Sequence, residues 1–224
     1  MLDAQKLTIA AGKSTTVSAL LMRPRDARAC YVFAHGAGAG MTHAFMTAAA
    51  EGLAERGIAT LRYQFPNMEK GGKRPDPPAV AQSAVRAAVA EAARACPGLP
   101  LIAGGKSFGG RMTSQAQAKT PLAGVVGLAF FGFPLHAAGK PSSERADHLA
   151  EVRVPMLFLQ GGADKLADID LLKPMVKKLG ERATLHLVDG ADHSFHVPKR
   201  SGRSDREAMA EILDAFAAWA AALI

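Results

Sequence analysis

Three residues far apart in this sequence are of the types that together perform acyl transfer. Ser107 is the centre of Gly105-Lys106-Ser107-Phe108-Gly109, the spacing G-x-S-x-G. A strand that turns sharply into a helix strains the residue at its apex, and glycines two places to either side remove the clashes such a turn creates. The turn lifts the serine hydroxyl out of the sheet, and the start of the following helix points free backbone N–H groups at the same spot. A hydroxyl attacks poorly until a base takes its proton, and the base needs a partner that holds its tautomer. His193, in Asp192-His193-Ser194-Phe195, is the candidate base, and Asp164, in Gly161-Gly162-Ala163-Asp164, the candidate acid. His196 and Asp168 compete for the same two roles.

A fourth stretch, His35-Gly36-Ala37-Gly38-Ala39-Gly40-Met41, follows an apolar run and is rich enough in glycine for the backbone to approach a ligand closely. The N–H of Ala37 and that of Phe108, the residue after the serine, form the candidate oxyanion hole. Gly38, Lys106 and Arg111 are candidate substrate contacts, the two cations suited to a carboxylate or phosphate; alternatively these cations pin loops through ion pairs. His35 is expected to be structural, holding its loop by hydrogen bonds. A dinucleotide turn is disfavoured. The third glycine of that fingerprint is absent, and the next strand runs out in Tyr63-Gln64 rather than an acidic ribose ligand.

Positioning these residues requires strands that alternate with helices. The apolar pattern predicts strands over 29–34, 58–63, 99–103, 124–131, 155–160 and 183–188, preceded by an edge hairpin of 7–10 and 16–22 that turns through 11–14. Helices are predicted over 42–56, 79–95, 110–119, 169–179 and 206–222, the last with Ile212, Leu213, Phe216, Trp219 and Ala220 on its core side. Residues 66–78, with four prolines, read as a loop that presents Lys70, Lys73 and Arg74 to solvent; residues 132–151 read as a polar connection too short for a folded lid. Such an order demands an α/β fold with a mostly parallel sheet covered on both faces, and ligands of such sheets gather at the carboxyl ends of the strands. All four chemical loops fall at those ends.

At 224 residues and 49% hydrophobic, the chain suits one core, read as a single domain over 1–224. Cys30 and Cys96 lack a C-x-x-C partner or nearby histidines, so neither a metal site nor a disulfide framework is expected, and the triad chemistry needs no cofactor. The net charge of +7 invites a nucleic-acid reading, but with two tyrosines, one tryptophan and no binding motif the expectation is no nucleic acid. The basic clusters, Lys177-Lys178 and Lys199-Arg200-Ser201-Gly202-Arg203 among them, read as solvated faces or as a rim for an anionic small molecule or an acidic protein partner. No uncharged apolar window reaches bilayer length and the first ten residues carry no apolar run, so a cytoplasmic protein with no membrane contact is expected.

With these motifs in hand, the chain resembles the α/β-hydrolase superfamily, whose triad runs in the chain order Ser, Asp, His. More narrowly it resembles the small lidless, dienelactone-hydrolase-like branch that includes bacterial enzymes and the hydrolase-like domain of a eukaryotic chromatin-complex subunit. The residues that carry this are the 35–41 loop, Gly104 to Met112, Phe133-Pro134-Leu135-His136, Gln160 to Asp164, Asp192 to Phe195 and the 199–203 tail. The resemblance implies the α/β-hydrolase fold without a large lid, with Ser107, Asp164 and His193 as its triad. It implies a serine hydrolase acting on a carboxylic ester or related small acyl compound, or alternatively a protein-binding module that kept the fold. Dienelactone hydrolases carry a cysteine nucleophile where Ser107 stands, so a dienelactone substrate is not implied.

Overall fold

The computed structural model describes residues 2–12, 14–72 and 74–224. Lys13 in the expected hairpin turn and Lys73 in the expected basic loop lie outside these described residues. Strands β1 (Gln5–Gly12) and β2 (Thr15–Met22) pair antiparallel at one edge, with Leu7 opposite Ala19. Their alternating burial is that of a hairpin with one face on the core. β3 (Ala29–Ala34), an apolar run, and β4 (Ile58–Tyr63), which also buries Thr60 and Arg62, are covered at every position, as interior strands of a sheet packed on both faces should be. β5 (Leu101–Lys106), β6 (Val125–Phe131), β7 (Met156–Gly161) and β8 (Ala183–Val188) complete an eight-stranded sheet in the order β1-β2-β4-β3-β5-β6-β7-β8. From β4 to β8 every pairing is parallel; β2 joins β4 antiparallel.

Among the described residues six α-helices flank this sheet: α1 (Ala44–Ala54), α2 (Pro66–Glu69), α3 (Pro78–Ala95), α4 (Phe108–Lys119), α5 (Ile169–Leu179) and α6 (Asp205–Ala221). One face packs beneath α3, α4 and α5, the other beneath α1 and α6. α6 starts in a capping box, Ser204 Oγ accepting from Glu207 N while the Glu207 carboxylate accepts from Ser204 N. Its Ile212, Leu213, Phe216 and Ala220 are buried, and Phe216 stacks on Phe131 of β6 with ring centroids 6.0 Å apart. Trp219 covers the edge of that face and is only partly buried.

Two segments expected to be irregular contain helix. Residues 66–69 form the single-turn α2, because Pro66 presets the first helical φ and its missing N–H falls where no intrahelical bond is needed. Residues Glu144–Glu151 form a 3₁₀ helix that buries Ala146 and Leu149 and packs on α4 and α5. The connection is therefore docked as part of the wall and is no lid. Cys30 and Cys96, far apart in the sequence, are set side by side as buried free thiols, Cys30 in β3 and Cys96 at the end of α3. Their mutual hydrogen bond holds the Cys96 thiol down, to about 7, and with burial pushes Cys30 far up.

Candidate active site

β5 ends at Lys106 and α4 begins at Phe108, so Ser107 alone makes the turn. Its φ of 51° lies in the left-handed region that non-glycine residues avoid. The strain is held in place by hydrogen bonds on both sides, Ser107 N donating to Phe131 O at 3.1 Å and Arg111 N donating to Ser107 O at 3.1 Å. A Cβ on Gly105 would stand 2.4 Å from Ala34 O, and one on Gly109 would stand 2.5 Å from His35 O. The flanking glycines are thus required by the backbone of the neighbouring β3 crossing.

The three distant residues meet at the carboxyl ends of the strands. Ser107 Oγ lies 2.9 Å from His193 Nε2, and His193 Nδ1 lies 2.6 Å from Asp164 Oδ2. Since the carboxylate can only accept, Nδ1 carries the proton and Nε2 is free to accept from the serine. Asp164 is 5% exposed, which keeps its negative charge out of water's screening and strengthens its hold on the imidazole. It is also well supplied with donors: Leu166 N gives to Oδ1 at 2.8 Å and Gln160 Nε2 to Oδ2 at 2.5 Å. The competitors have other duties. Asp168 caps α5 through Asp170 N at 2.9 Å, and His196 sits on the surface against Asp205 at 2.9 Å.

The loop that carries His193 is shaped by Asp192, whose Oδ1 accepts from Ser194 N at 2.7 Å and His196 N at 3.0 Å. Phe195 closes the turn with a φ of 64° and buries its ring against Phe45, centroids 5.9 Å apart. Lys106 crosses beneath this loop. Its largely buried ammonium donates to His193 O at 2.5 Å and lies 5.6 Å and 5.5 Å from the ring centroids of Phe45 and Phe195. Burial lowers its pKa to about 8, although the Asp164 and Asp192 carboxylates work against that shift. Of the two readings for this lysine, the loop pin is the one the geometry realises.

The glycine-rich loop is anchored at both ends. His35 Nδ1 donates to Gly36 O at 2.7 Å and its Nε2 accepts from Phe65 N at 3.0 Å, so the ring is neutral, and burial lowers its pKa. Gln64 Oε1 accepts from Met41 N at 2.9 Å and fills the space where a side chain on Gly40 would stand. Gln64, absent from the sequence reading except as a non-acidic residue, is the second anchor. Between the anchors the N–H of Ala37, like that of Phe108, has no protein acceptor among the described residues.

These elements enclose a cavity of about 370 Å³ lined by Gly36, Ala37, Gly38, Ala39, His43, Phe45, Met46, Lys106, Ser107, Leu166, His193 and Ser194. Of the candidate substrate contacts, Gly38 and Lys106 line this cavity. Arg111 does not. Its position one turn into α4 sends it toward the 3₁₀ helix, away from the cavity wall. Phe45, Met46, His43 and Leu166 were missed, since Phe45 and Met46 at the start of α1, its N-cap His43 and a lone leucine in the turn after β7 carry no signal that marks a pocket wall.

An eight-stranded α/β sheet with a serine at a strained strand-to-helix turn, and a histidine and a buried aspartate at its carboxyl ends, has the architecture of an α/β hydrolase with a Ser-His-Asp arrangement. Residues 27–221 match the alpha/beta hydrolase domain family, and the chain belongs to it. Among solved structures it is similar to the dienelactone hydrolase of Anabaena variabilis, with 20% identity and a TM-score of 0.80 over 100% of this chain and 99% of that one. An α/β serine hydrolase without a lid from Xanthomonas campestris aligns with 22% identity and a TM-score of 0.74, covering 97% of this chain and 95% of that one. The esterase domain of a Rhodothermus marinus protein aligns with 18% identity and a TM-score of 0.73, covering 98% of each. At these identities the likeness is one of fold.

Proposed function

We propose that this protein is a serine esterase that hydrolyses small, soluble carboxylic esters through an acyl-enzyme on Ser107. The observation that carries this reading is the continuous Ser107–His193–Asp164 chain of 2.9 Å and 2.6 Å contacts opening into the cavity. Ser107 Oγ attacks the ester carbonyl as its proton passes to His193 Nε2, and Asp164 stabilises the imidazolium that results. The N–H groups of Ala37 and Phe108 receive the charge on the tetrahedral oxygen, the two being supplied by the glycine-rich loop and the first residue of α4. Collapse expels the alcohol, which takes the proton from His193. Water then repeats the cycle on the acyl-enzyme and releases the acid. No metal or organic cofactor enters any step.

A cavity of about 370 Å³ walled by Phe45, Met46 and Leu166 suits a short acyl chain. Lys106 is the one lysine or arginine among the described wall residues, and its ammonium is engaged by His193 O. An anionic group on the substrate would have to meet that ammonium or lie outside the cavity. The 224 residues read as one hydrolase domain, since both apolar clusters pack on the two faces of the same sheet. Two buried free thiols suit a reducing, cytoplasmic setting, and no helix among the described residues is long and apolar enough to cross a membrane.

A second reading, an acidic protein partner held by a hydrolase-like module, is supported by exposed Lys70, Arg74, Lys199 and Arg200, which lie outside the cavity wall. Intact mass after exposure to a fluorophosphonate separates the readings. The esterase reading expects one adduct on the parent and none on Ser107→Ala, with p-nitrophenyl acetate hydrolysis lost in parallel. An unmodified parent would overturn it.

A further inference from the structure

Arg111 is left over from the hydrolytic machinery, and its surroundings are unlike those of a structural arginine. It is half-buried on α4, its Nε is shielded from solvent, and no hydrogen-bond or ion-pair partner meets that nitrogen among the described residues. Guanidinium groups in such positions are ordinarily paired, because withdrawing the charge from water without an acceptor is costly. The opposing element supplies the reverse of a partner. Residues three apart in a 3₁₀ helix eclipse one another, so Arg145 and His148 share one face of Glu144–Glu151, while Ala146 and Leu149 fill the core face. On α4, Arg111 and Ser114 likewise share a face.

One contact locks the two faces together: Ser114 Oγ stands 2.7 Å from His148 Nε2 and donates to Arg111 O at 3.0 Å. With that hydroxyl proton committed to Arg111 O, His148 Nε2 is the donor and its Nδ1 is left as an acceptor. The Ser114–His148 contact sets the Arg145 face of the 3₁₀ helix against the Arg111 face of α4, and the like charge of Arg145 adds to burial in lowering the pKa of Arg111. Neither arginine has a carboxylate partner among the described residues. Asp147, next to His148 on the same helix, is exposed and acts on His148.

The geometry points to an oxyanion site between α4 and the 3₁₀ helix, in which Arg111 and Arg145 together hold a carboxylate or phosphate group. Two guanidinium forks present more donors than any single anion oxygen pair needs, which suits a planar carboxylate as well as a phosphate face. The site is separate from the cavity wall, and its first residue is one helical turn from Ser107, whose O accepts from Arg111 N. An anion seated here therefore touches the helix that carries the nucleophile. Its source is either the charged end of a substrate too long for the cavity or an independent small anion.

The test is a titration of the parent protein with inorganic phosphate, and separately with succinate, at low ionic strength, read by the histidine ring resonances in NMR. Saturable movement of the His148 ring is expected, with affinity at least tenfold weaker in Arg145→Ala and in Arg111→Gln. Arg145 lies on the outer helix and is the safer variant should Arg111→Gln fold poorly. Lys6→Ala, on the edge strand β1 at the far side of the sheet, should bind as the parent does. A parent that shows no saturable shift, or an Arg145→Ala variant that binds as tightly as the parent, overturns the site. Its two sources separate in a second arm: a phosphate that competitively inhibits turnover of p-nitrophenyl hemisuccinate but not of p-nitrophenyl acetate marks the substrate's end, and inhibition of neither marks an independent ligand. This binding readout does not depend on the esterase assignment.

Discussion

Gln160 donates from Nε2 to Asp164 Oδ2 at 2.5 Å, the same oxygen that receives the His193 Nδ1–H at 2.6 Å. The amide is completely buried in β7, and its Oε1 accepts from Phe133 N at 2.8 Å, so both ends are committed. Gln160 thus orients the acid of the triad in the way that second partners orient metal ligands, by removing its rotational freedom. Gln160→Leu leaves Asp164 with one fewer donor and Phe133 N unsatisfied. The expected result is a kcat reduced on the order of 10- to 100-fold with KM little changed, and a loss of about 2 kcal/mol in stability. Steady-state kinetics on a chromogenic ester and urea unfolding check both. A fall in stability with kcat unaltered would reduce Gln160 to a packing role.

Lys106 should act through His193 and not through the substrate. Its ammonium holds His193 O at 2.5 Å under the rings of Phe45 and Phe195. Lys106→Met keeps the stem and removes the donor, so the histidine loop loosens while the cavity wall remains. The expectation is a drop in kcat of roughly tenfold on a neutral ester, since general-base geometry is sensitive to small displacements. Comparing acetate with hemisuccinate esters tests the alternative directly. A variant impaired only on the anionic ester would make Lys106 a substrate contact.

The nucleophile turn tolerates no side chain beside it. In Gly109→Ala the new Cβ would meet Ala34 O and His35 O at 2.6 Å and 2.5 Å, and backbone atoms cannot swing aside as a flexible side chain can. Moving β3 instead would displace His35 and with it the glycine-rich loop. A destabilisation of several kcal/mol, enough to deplete soluble protein, is expected. Gly98→Ala is the contrasting case, where open space leaves only the cost of a positive φ of 80°. Thermal unfolding of the two variants side by side gives the comparison.

What the sequence makes legible follows from the range of each signal. The strand runs of β3, β4 and β8 and the span of α5 lie within their own residues, and they appear at the boundaries read from the pattern. Ser107 and its glycines are equally local. His193 and Asp164 stand out because each closely follows a strand, and the Asp-His-Ser-Phe setting directly after the last strand sets His193 above His196. The remaining parts are tertiary. Gln160 and Gln64 gain meaning only from what stands opposite them, and the approach of Cys30 to Cys96 depends on how α3 returns to β3. Arg111 illustrates the limit from the other direction. Its place in the motif suggested the cavity, while the direction of a helical side chain one turn below the serine carries it to the 3₁₀ helix.

His148 should make the protein lose stability in mild acid. The groups that face it are Ser114 and Arg111 from α4, and Arg145 and Asp147 from its own helix. Burial, with Arg111 adding repulsion and Asp147 opposing it, lowers its pKa from 6.5 to about 4. Above pH 6.5 the ring is neutral in both folded and unfolded chains and contributes no pH dependence. As pH falls from 6.5 toward 4, the unfolded chain takes up a proton that the folded protein refuses, so stability declines across that window. Partial exposure discounts the full effect to about 2 kcal/mol at most. The raised pKa of the exposed His196 beside Asp205 acts with the opposite sign, and the lowered one of His35 with the same sign. Subtracting a His148→Gln variant isolates the His148 contribution, since glutamine keeps a donor for Ser114 and does not titrate. The parent's melting temperature should fall more steeply than the variant's between pH 6.5 and 4.5. Parallel slopes would mean that His148 protonates freely in the folded protein, and that burial and Arg111 do not oppose its charge.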